Sequence, residues 1–172
     1  MKNLVIGQSG GPTAVINASL YGAVKAFKES GTDGHVLGMI NGIEGFLADH
    51  VMDLSTDLSD EELELLKLTP AAYLGSCRYK LPADLESEVY PAIFDNFREM
   101  NIGYFLYVGG NDSMDTVDKL SRYAEKIGSD VKFIGIPKTI DNDLVLTDHT
   151  PGFGSAAKYV ASTVREIVLD AS

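Results

Sequence analysis

Short apolar runs alternate along the chain with stretches whose apolar residues recur at helical spacing. Runs of strand length and composition cover residues 4–6, 35–40, 104–108 and 131–136. Helical spacing covers residues 13–30, 59–68, 85–100, 113–127 and 155–169. Strands that alternate with helices predict right-handed crossovers, and therefore an α/β fold with an open, mainly parallel sheet and helices on both faces.

Polar residues and glycines indicate where several of these elements begin or end. Ser59 and Glu62 have the spacing of a capping box, which predicts a helix start at that point. Residues 41–46 contain two glycines and are predicted to form a loop. The last helix runs almost to Ser172, so we expect the chain to stop before further elements of the same fold.

The heptapeptide 137–143, Pro-Lys-Thr-Ile-Asp-Asn-Asp, follows the last predicted strand directly. Ligands of open parallel sheets bind outside the carboxyl ends of the strands. Lys138, Thr139, Asp141 and Asp143 supply a cation, a hydroxyl and two carboxylates at that place, the groups that phosphoryl transfer needs. The alternative, which involves no binding site, is that Asp-Asn-Asp forms an ordinary turn.

Two glycine pairs follow other predicted strands. Ser9-Gly10-Gly11 precedes a helix, an arrangement that directs backbone N–H groups at an anion but also serves simple turns. Gly109-Gly110 is followed by Asn111, Asp112 and Ser113, and Asp112 or Ser113 is predicted to cap the next helix. Asn111 or Asp112 could also reach a phosphate or a magnesium ion, which takes only one or two protein carboxylates.

A further glycine turn, 74–80, carries the basic residues Arg78 and Lys80. Arginine clamps phosphate oxygens in a bidentate manner, whereas lysine acts as a point charge. The alternative for Arg78 is a surface side chain whose stem packs on Tyr79.

Composition narrows the classes of function. A net charge of −11 argues against nucleic-acid binding, and no run approaches the roughly 20 apolar residues of a membrane span. The single cysteine, Cys77, fits a reducing, cytoplasmic setting and is interpreted as a packing residue. The length of 172 residues corresponds to one domain, 1–172.

Taken together, these loops resemble the amino-terminal portion of a phosphofructokinase. The resemblance covers the whole chain and rests on Ser9-Gly10-Gly11 with Asn17 behind it, 74–76 before Arg78, the Gly109-Gly110 loop and, most specifically, 139–143. It implies a Rossmann-like phosphofructokinase fold that is incomplete, because the part that binds the sugar phosphate lies beyond this chain. It also implies a cytoplasmic enzyme that is a homo-oligomer.

The resemblance assigns roles in the transfer. Asp141 would be the base that takes the proton of the sugar 1-hydroxyl, with Thr139, Arg78 and Lys138 assisting. Contacts to the phosphoryl donor would come from Gly10, Gly11, Arg78, Lys80, Gly110, Asp112, Ser113 and Lys138. The sugar phosphate would contact Thr139, Asp141 and Asp143. The cofactor would be Mg²⁺, with Asn111, Asp112 and Asp143 as candidate ligands.

Two positions resemble the pyrophosphate-dependent type, because ATP-using members carry glycine where this chain has Asp112 and Lys138. Asn111 departs from the acid found in many members. The expected reaction is phosphorylation of fructose 6-phosphate by pyrophosphate. The alternatives are an ATP-dependent 6-phosphofructokinase and, from another class, a phosphate-binding fragment without turnover.

Overall fold

The structure is a computed structural model that describes residues 2–172. Its strands are β1 (Asn3–Gln8), β2 (Val36–Met39), β3 (Val51–Asp53), β4 (Ile102–Gly109) and β5 (Lys132–Pro137). Its helices are α1 (Ile16–Glu29), α2 (Gly42–Leu47), α3 (Asp60–Leu65), α4 (Val89–Glu99), α5 (Asn111–Ile127) and α6 (Phe153–Asp170), with a 3-10 turn at Leu66–Leu68. The alternation of strands and helices follows the prediction.

The five strands form one sheet in the order β3-β2-β1-β4-β5. All neighbours are parallel except β2 and β3. The register places Gln8 beside Val108, and Gly109 beside Pro137, so β1, β4 and β5 end along one edge. The predicted mainly parallel α/β sheet is therefore confirmed, and its carboxyl edge presents three loops side by side.

Each face of the sheet has its own apolar core. One core packs α2, α4 and α5 against β1 and β4, with Phe46, Phe97 and Phe105 among its fully buried side chains. The other packs α1 and the segment 54–74 against the opposite face through Ile6, Leu20 and others. Helices thus cover both faces, as the sequence predicts, and residues that alternate along β1 point into different cores.

Several boundaries differ from the predictions. The predicted loop 41–46 is wrong, because those residues include helix α2, which starts after Asn41 in the left-handed region at φ 58°. Strand β3 was not predicted, since it has only three residues and pairs antiparallel at the edge. Helices α1 and α4 begin a few residues later than predicted, whereas the capping box of Ser59 and Glu62 is confirmed.

Helix α6 has no buried residue among those described. Its exposed apolar side chains are Tyr159, Val160, Val164, Ile167, Val168 and Leu169. None of the helices in residues 2–172 is both long and apolar enough to cross a membrane.

Two glycines should respond in opposite ways to alanine. A Cβ at Gly45 would lie 1.6 Å from the carbonyl oxygen of Ile40, so Gly45→Ala must displace backbone and should destabilise by about 1–3 kcal/mol. Gly22 in α1 has open space around its Cβ position, so Gly22→Ala should stabilise by about 0.5–1 kcal/mol through helix propensity. Denaturant unfolding of both variants checks the pair, and a harmless Gly45→Ala would contradict the packing described here.

Candidate functional site

Backbone hydrogen bonds join the loops after β1 and β5 to the last two residues of β4. The N–H of Ser9 donates to the carbonyl of Val108 at 2.9 Å, and the N–H of Lys138 donates to that of Gly109 at 3.0 Å. The fourth loop joins the same edge, because the N–H of Gly10 donates to the carbonyl of Cys77 at 3.2 Å. Four segments that are distant in sequence therefore form one continuous surface.

A first cavity of about 400 Å³ opens between these loops. It is lined by Ser9, Gly10, Gly11, Cys77, Arg78, Tyr79, Lys80, Gly110, Asn111, Asp112, Ser113 and Lys138. Every residue predicted to contact the phosphoryl donor is in this set. Three cationic side chains and one carboxylate give the wall a net positive charge within a chain of net charge −11.

A second cavity of about 280 Å³ adjoins the first. It is lined by Gly11, Pro12, Thr13, Gly110, Asn111, Lys138, Thr139, Ile140 and Asp141. Gly11, Gly110, Asn111 and Lys138 line both cavities. The cation-lined space and the space that holds Asp141 are thus neighbours across a shared wall.

Lys138 is the cation of that wall and is only 6% exposed. Its ammonium donates to the carbonyl of Gly11, and the neighbouring Gly10 has a positive φ of 73°, a conformation that favours glycine. Burial lowers the pKa of Lys138, and the charge of Arg78 lowers that pKa further. A buried ammonium without a carboxylate partner among the described residues is stabilised when an anion binds beside it.

Arg78 and Lys80 also line the first cavity. Arg78 is exposed and has no hydrogen bond or ion pair within residues 2–172, so its guanidinium is available to an anion. Lys80 Nζ lies 3.1 Å from Asp112 Oδ1, with both side chains 72% exposed. The ion pair links the 74–80 loop to the first turn of α5.

The amino terminus of α5 faces the same cavity. The helix begins at Asn111 after Gly110, and no side chain caps it, so the prediction that Asp112 or Ser113 is the cap is wrong. The extended Gly110 already precedes the first turn, which places Asp112 and Ser113 inside the helix. An uncapped helix start in a cation-lined cavity adds the favourable end of the helix dipole to the anion site.

Thr139 and Asp141 line the second cavity, where a hydrogen bond joins them. The N–H of Asp141 donates to Thr139 Oγ1 at 3.0 Å, and the Asp141 side chain is exposed to the cavity. Asn142 between the two aspartates has a positive φ of 55°. Asp143 lines neither cavity, so the structure does not bring it together with Asn111 and Asp112.

Some site residues had no signal in the sequence. Thr13 lines the second cavity, and its Oγ1 is buried without a hydrogen-bond partner among the described residues. Cys77 is buried as a packing residue, 3.8 Å from the hydroxyl of Tyr107. Burial raises the pKa of Tyr107, so this hydroxyl stays neutral beneath the cavity. A single Thr or Tyr forms no sequence motif, so its contribution to the site is visible only in the folded structure.

Apart from the buried thiol of Cys77, the metal-ligand atoms of the residues that line the two cavities are oxygens. Asn111 and Asp112 offer an amide and a carboxylate oxygen in the first cavity. Residues 2–172 contain no group of three or more His, Cys, Asp or Glu side chains that could hold a metal. Such a donor set fits a magnesium ion that takes most of its ligands from phosphate and water.

Comparison with known proteins gives consistent matches over nearly the whole chain. The family model of phosphofructokinase matches residues 3–172. The pyrophosphate–fructose 6-phosphate 1-phosphotransferase of Halomonas elongata is 46% identical over 98% of this chain, and the sulfofructose kinase of Alkalicoccus urumqiensis is 40% identical over 97%. The chain spans 40% and 42% of these two relatives.

A solved structure agrees with these sequence matches. The pyrophosphate-dependent phosphofructokinase of Nitrosospira multiformis superposes with a TM-score of 0.90 and is 42% identical. The superposition covers 98% of this chain and 42% of that one.

Removal of the buried ammonium should stabilise the fold. Folding lowers the pKa of Lys138, so this residue binds fewer protons in the folded than in the unfolded state. Its charge therefore lowers the free energy of unfolding until the pH rises past the ordinary lysine pKa. We expect Lys138→Met to raise the melting temperature by about 2–4 °C for each ~1 kcal/mol gained, with a smaller difference as pH rises.

Calorimetric melting at several pH values measures this effect. Lys25→Met is the matched control, since it removes an exposed lysine that pairs with Glu64 at 3.2 Å and should give no stabilisation. A Lys138→Met variant that melts below the wild type at all pH values would show that the ammonium is already compensated.

Proposed function

The chain belongs to the phosphofructokinase family, and on that basis we propose that it forms the donor-binding and catalytic part of an enzyme that phosphorylates fructose 6-phosphate with pyrophosphate. The observation that carries this proposal is the pair of cavities that share Lys138. One cavity offers cations for the donor, and the other offers a carboxylate beside the point of transfer. Phosphoryl transfer depends mainly on this kind of positioning and charge stabilisation.

The charge of the first cavity suits pyrophosphate. Arg78, Lys80 and Lys138 outnumber the single carboxylate of Asp112. A nucleotide would extend its α-phosphate toward the start of α5, where Asp112 repels it. We therefore favour pyrophosphate over ATP, the alternative donor that Asp112 makes unfavourable.

In the proposed reaction, Asp141 accepts the proton of the sugar 1-hydroxyl as that oxygen attacks the nearer phosphorus of pyrophosphate. The bond between this phosphorus and the bridging oxygen breaks, and phosphate leaves. Lys138 and Arg78 stabilise the charge on the transferred group and on the leaving oxygen, while the backbone N–H groups of Gly10 and Gly11 position the donor. Thr139 orients Asp141 through the hydrogen bond between them.

Magnesium is the proposed cofactor, bound with the donor. Asn111 and Asp112 are the residues that would contribute to its shell, and bound Mg²⁺ would neutralise charge on the phosphates. Asp143 lies outside both cavities, which supports it less as a ligand than the other two.

The acceptor side belongs to a protein longer than this chain, which spans about two-fifths of its relatives. We propose fructose 6-phosphate as the acceptor, with a complete enzyme that is a cytoplasmic homo-oligomer. The sulfofructose kinase relative makes sulfofructose the second candidate acceptor. A side-by-side assay of the two acceptors on the complete enzyme separates them.

Loss of the proposed base should affect turnover more than binding. Asp141→Asn keeps the size of the side chain but cannot accept the proton, so kcat should fall about 10²–10⁴-fold with little change in KM. Steady-state kinetics of the complete enzyme measure both constants. Asp148→Asn, which alters an exposed carboxylate outside both cavities, should leave kcat unchanged. A near-normal kcat for Asp141→Asn would remove Asp141 from this role.

Donor choice should depend on Asp112. Asp112→Gly removes the carboxylate that opposes an α-phosphate, so kcat/KM with ATP should rise by at least about tenfold, which corresponds to ~1.4 kcal/mol. Assays of the complete enzyme with pyrophosphate and with ATP, before and after substitution, give the comparison. A wild-type enzyme that already prefers ATP would overturn the pyrophosphate proposal.

A further inference from the structure

Two buried amide side chains form a hydrogen-bond network behind the first cavity. Asn17 in α1 donates through Nδ2 to the carbonyls of Thr69 and Ala71, both at 2.8 Å. Its Oδ1 accepts from Gln8 Nε2 and from the N–H of Tyr73, both at 2.9 Å. Asn17 is 1% exposed and uses all four of its hydrogen-bonding positions.

Gln8 extends the network by one step along the same segment. Its Oε1 accepts from the N–H of Leu74 at 2.9 Å, while its Nε2 also donates to the carbonyl of Ile16 at 3.2 Å. The two amides therefore hold four backbone groups within residues 69–74. This segment contains Ala71 with a positive φ of 64°, a conformation that costs energy for alanine and needs such support.

The held segment leads directly into the loop that carries Arg78. Ser76 Oγ donates to the carbonyl of Gly10 at 2.6 Å, and the carbonyl of Cys77 accepts from Gly10 N–H at 3.2 Å. Arg78 comes next and has no partner of its own within residues 2–172. Its location over the cavity is therefore set by the backbone that precedes it.

We propose that Asn17 and Gln8 are positioning residues for the phosphoryl donor, which act on it through Arg78. This inference rests on the proposed function, because it assumes that Arg78 binds the donor. The two amides line neither cavity. They hold residues 69–74 in the conformation that places the Arg78 guanidinium at the proposed phosphate site.

The test is a double-mutant cycle in the complete enzyme, with KM for pyrophosphate and for the sugar phosphate as readouts. Asn17→Asp keeps the shape but replaces two N–H donors by an oxygen that opposes two carbonyls. Arg78→Gln removes the guanidinium and should raise KM for pyrophosphate about 10–100-fold. Asn17→Asp should raise it roughly tenfold in the wild-type background but less than about twofold in Arg78→Gln, since coupled residues are not additive.

Two further variants keep the result interpretable. Asn96→Asp is the matched control, because Asn96 also donates to a distant backbone carbonyl, that of Phe46 at 2.8 Å, on the other face of the sheet. It should lower the melting temperature and leave KM for pyrophosphate unchanged. Asn17→Ser introduces no charge and replaces Asn17→Asp in the cycle if the latter does not fold.

The outcomes separate this inference from the function on which it rests. An equal increase in KM from Asn17→Asp in both backgrounds, or an equal increase for both substrates, would overturn the positioning role. A wild-type enzyme that does not use pyrophosphate, or a normal KM in Arg78→Gln, would instead refute the donor site itself.

Discussion

The site depends on an ammonium that is buried before any ligand arrives. Lys138 follows β5, its backbone N–H bonds to the loop after β4, and its Nζ bonds to the loop after β1. Lys138 therefore connects the ends of three strands. Burial makes its positive charge unfavourable, and its pKa is lowered for that reason. A phosphate bound beside it, as proposed above, would replace the lost hydration, so part of its binding free energy would come from relief of a cost built in by folding.

This local arrangement gives a strongly acidic chain one region of positive charge. The net charge of −11 is spread over the surface, with acidic groups such as Asp60, Glu61 and Glu62 at the start of α3 on another side. Around the first cavity, Arg78, Lys80 and Lys138 act over a few ångströms, a distance at which solvent screening is weak. The overall negative charge therefore opposes nonspecific polyanions, whereas a small anion inside the cavity experiences mainly the local positive field.

The sequence predicted the features that are continuous along the chain. Each strand, each amphipathic helix and each of the loops at Gly10, Gly110 and Lys138 is encoded by residues that are adjacent in sequence. The parallel sheet then brings the three loops to one edge. Helix α2 was not predicted because its two glycines indicate a turn. In the structure, Gly42 has a positive φ of 60° and packs against Tyr107 and Cys77. Asn17 was singled out with the loop of Gly10, but the network that it forms with Gln8 was not predicted, because their partners in residues 69–74 lie 52 to 66 residues away.

The two cavities differ in how their walls are held, and this difference bears on the mechanism. The donor wall is cross-linked between distant segments, as in the bond from Ser76 to Gly10 and the network of Asn17. The segment 142–150, which follows the lining residues 139–141 of the second cavity, is held mainly by local bonds: Asn142 donates to the carbonyl of Asp148, and the N–H of Thr150 donates to Asn142 Oδ1. Segments with local, exposed hydrogen bonds open at lower free energy than cross-linked ones. Under the proposed function, Asp141 therefore stands on the side that opens more easily, and the groups proposed to bind the phosphates stand on the side that is cross-linked.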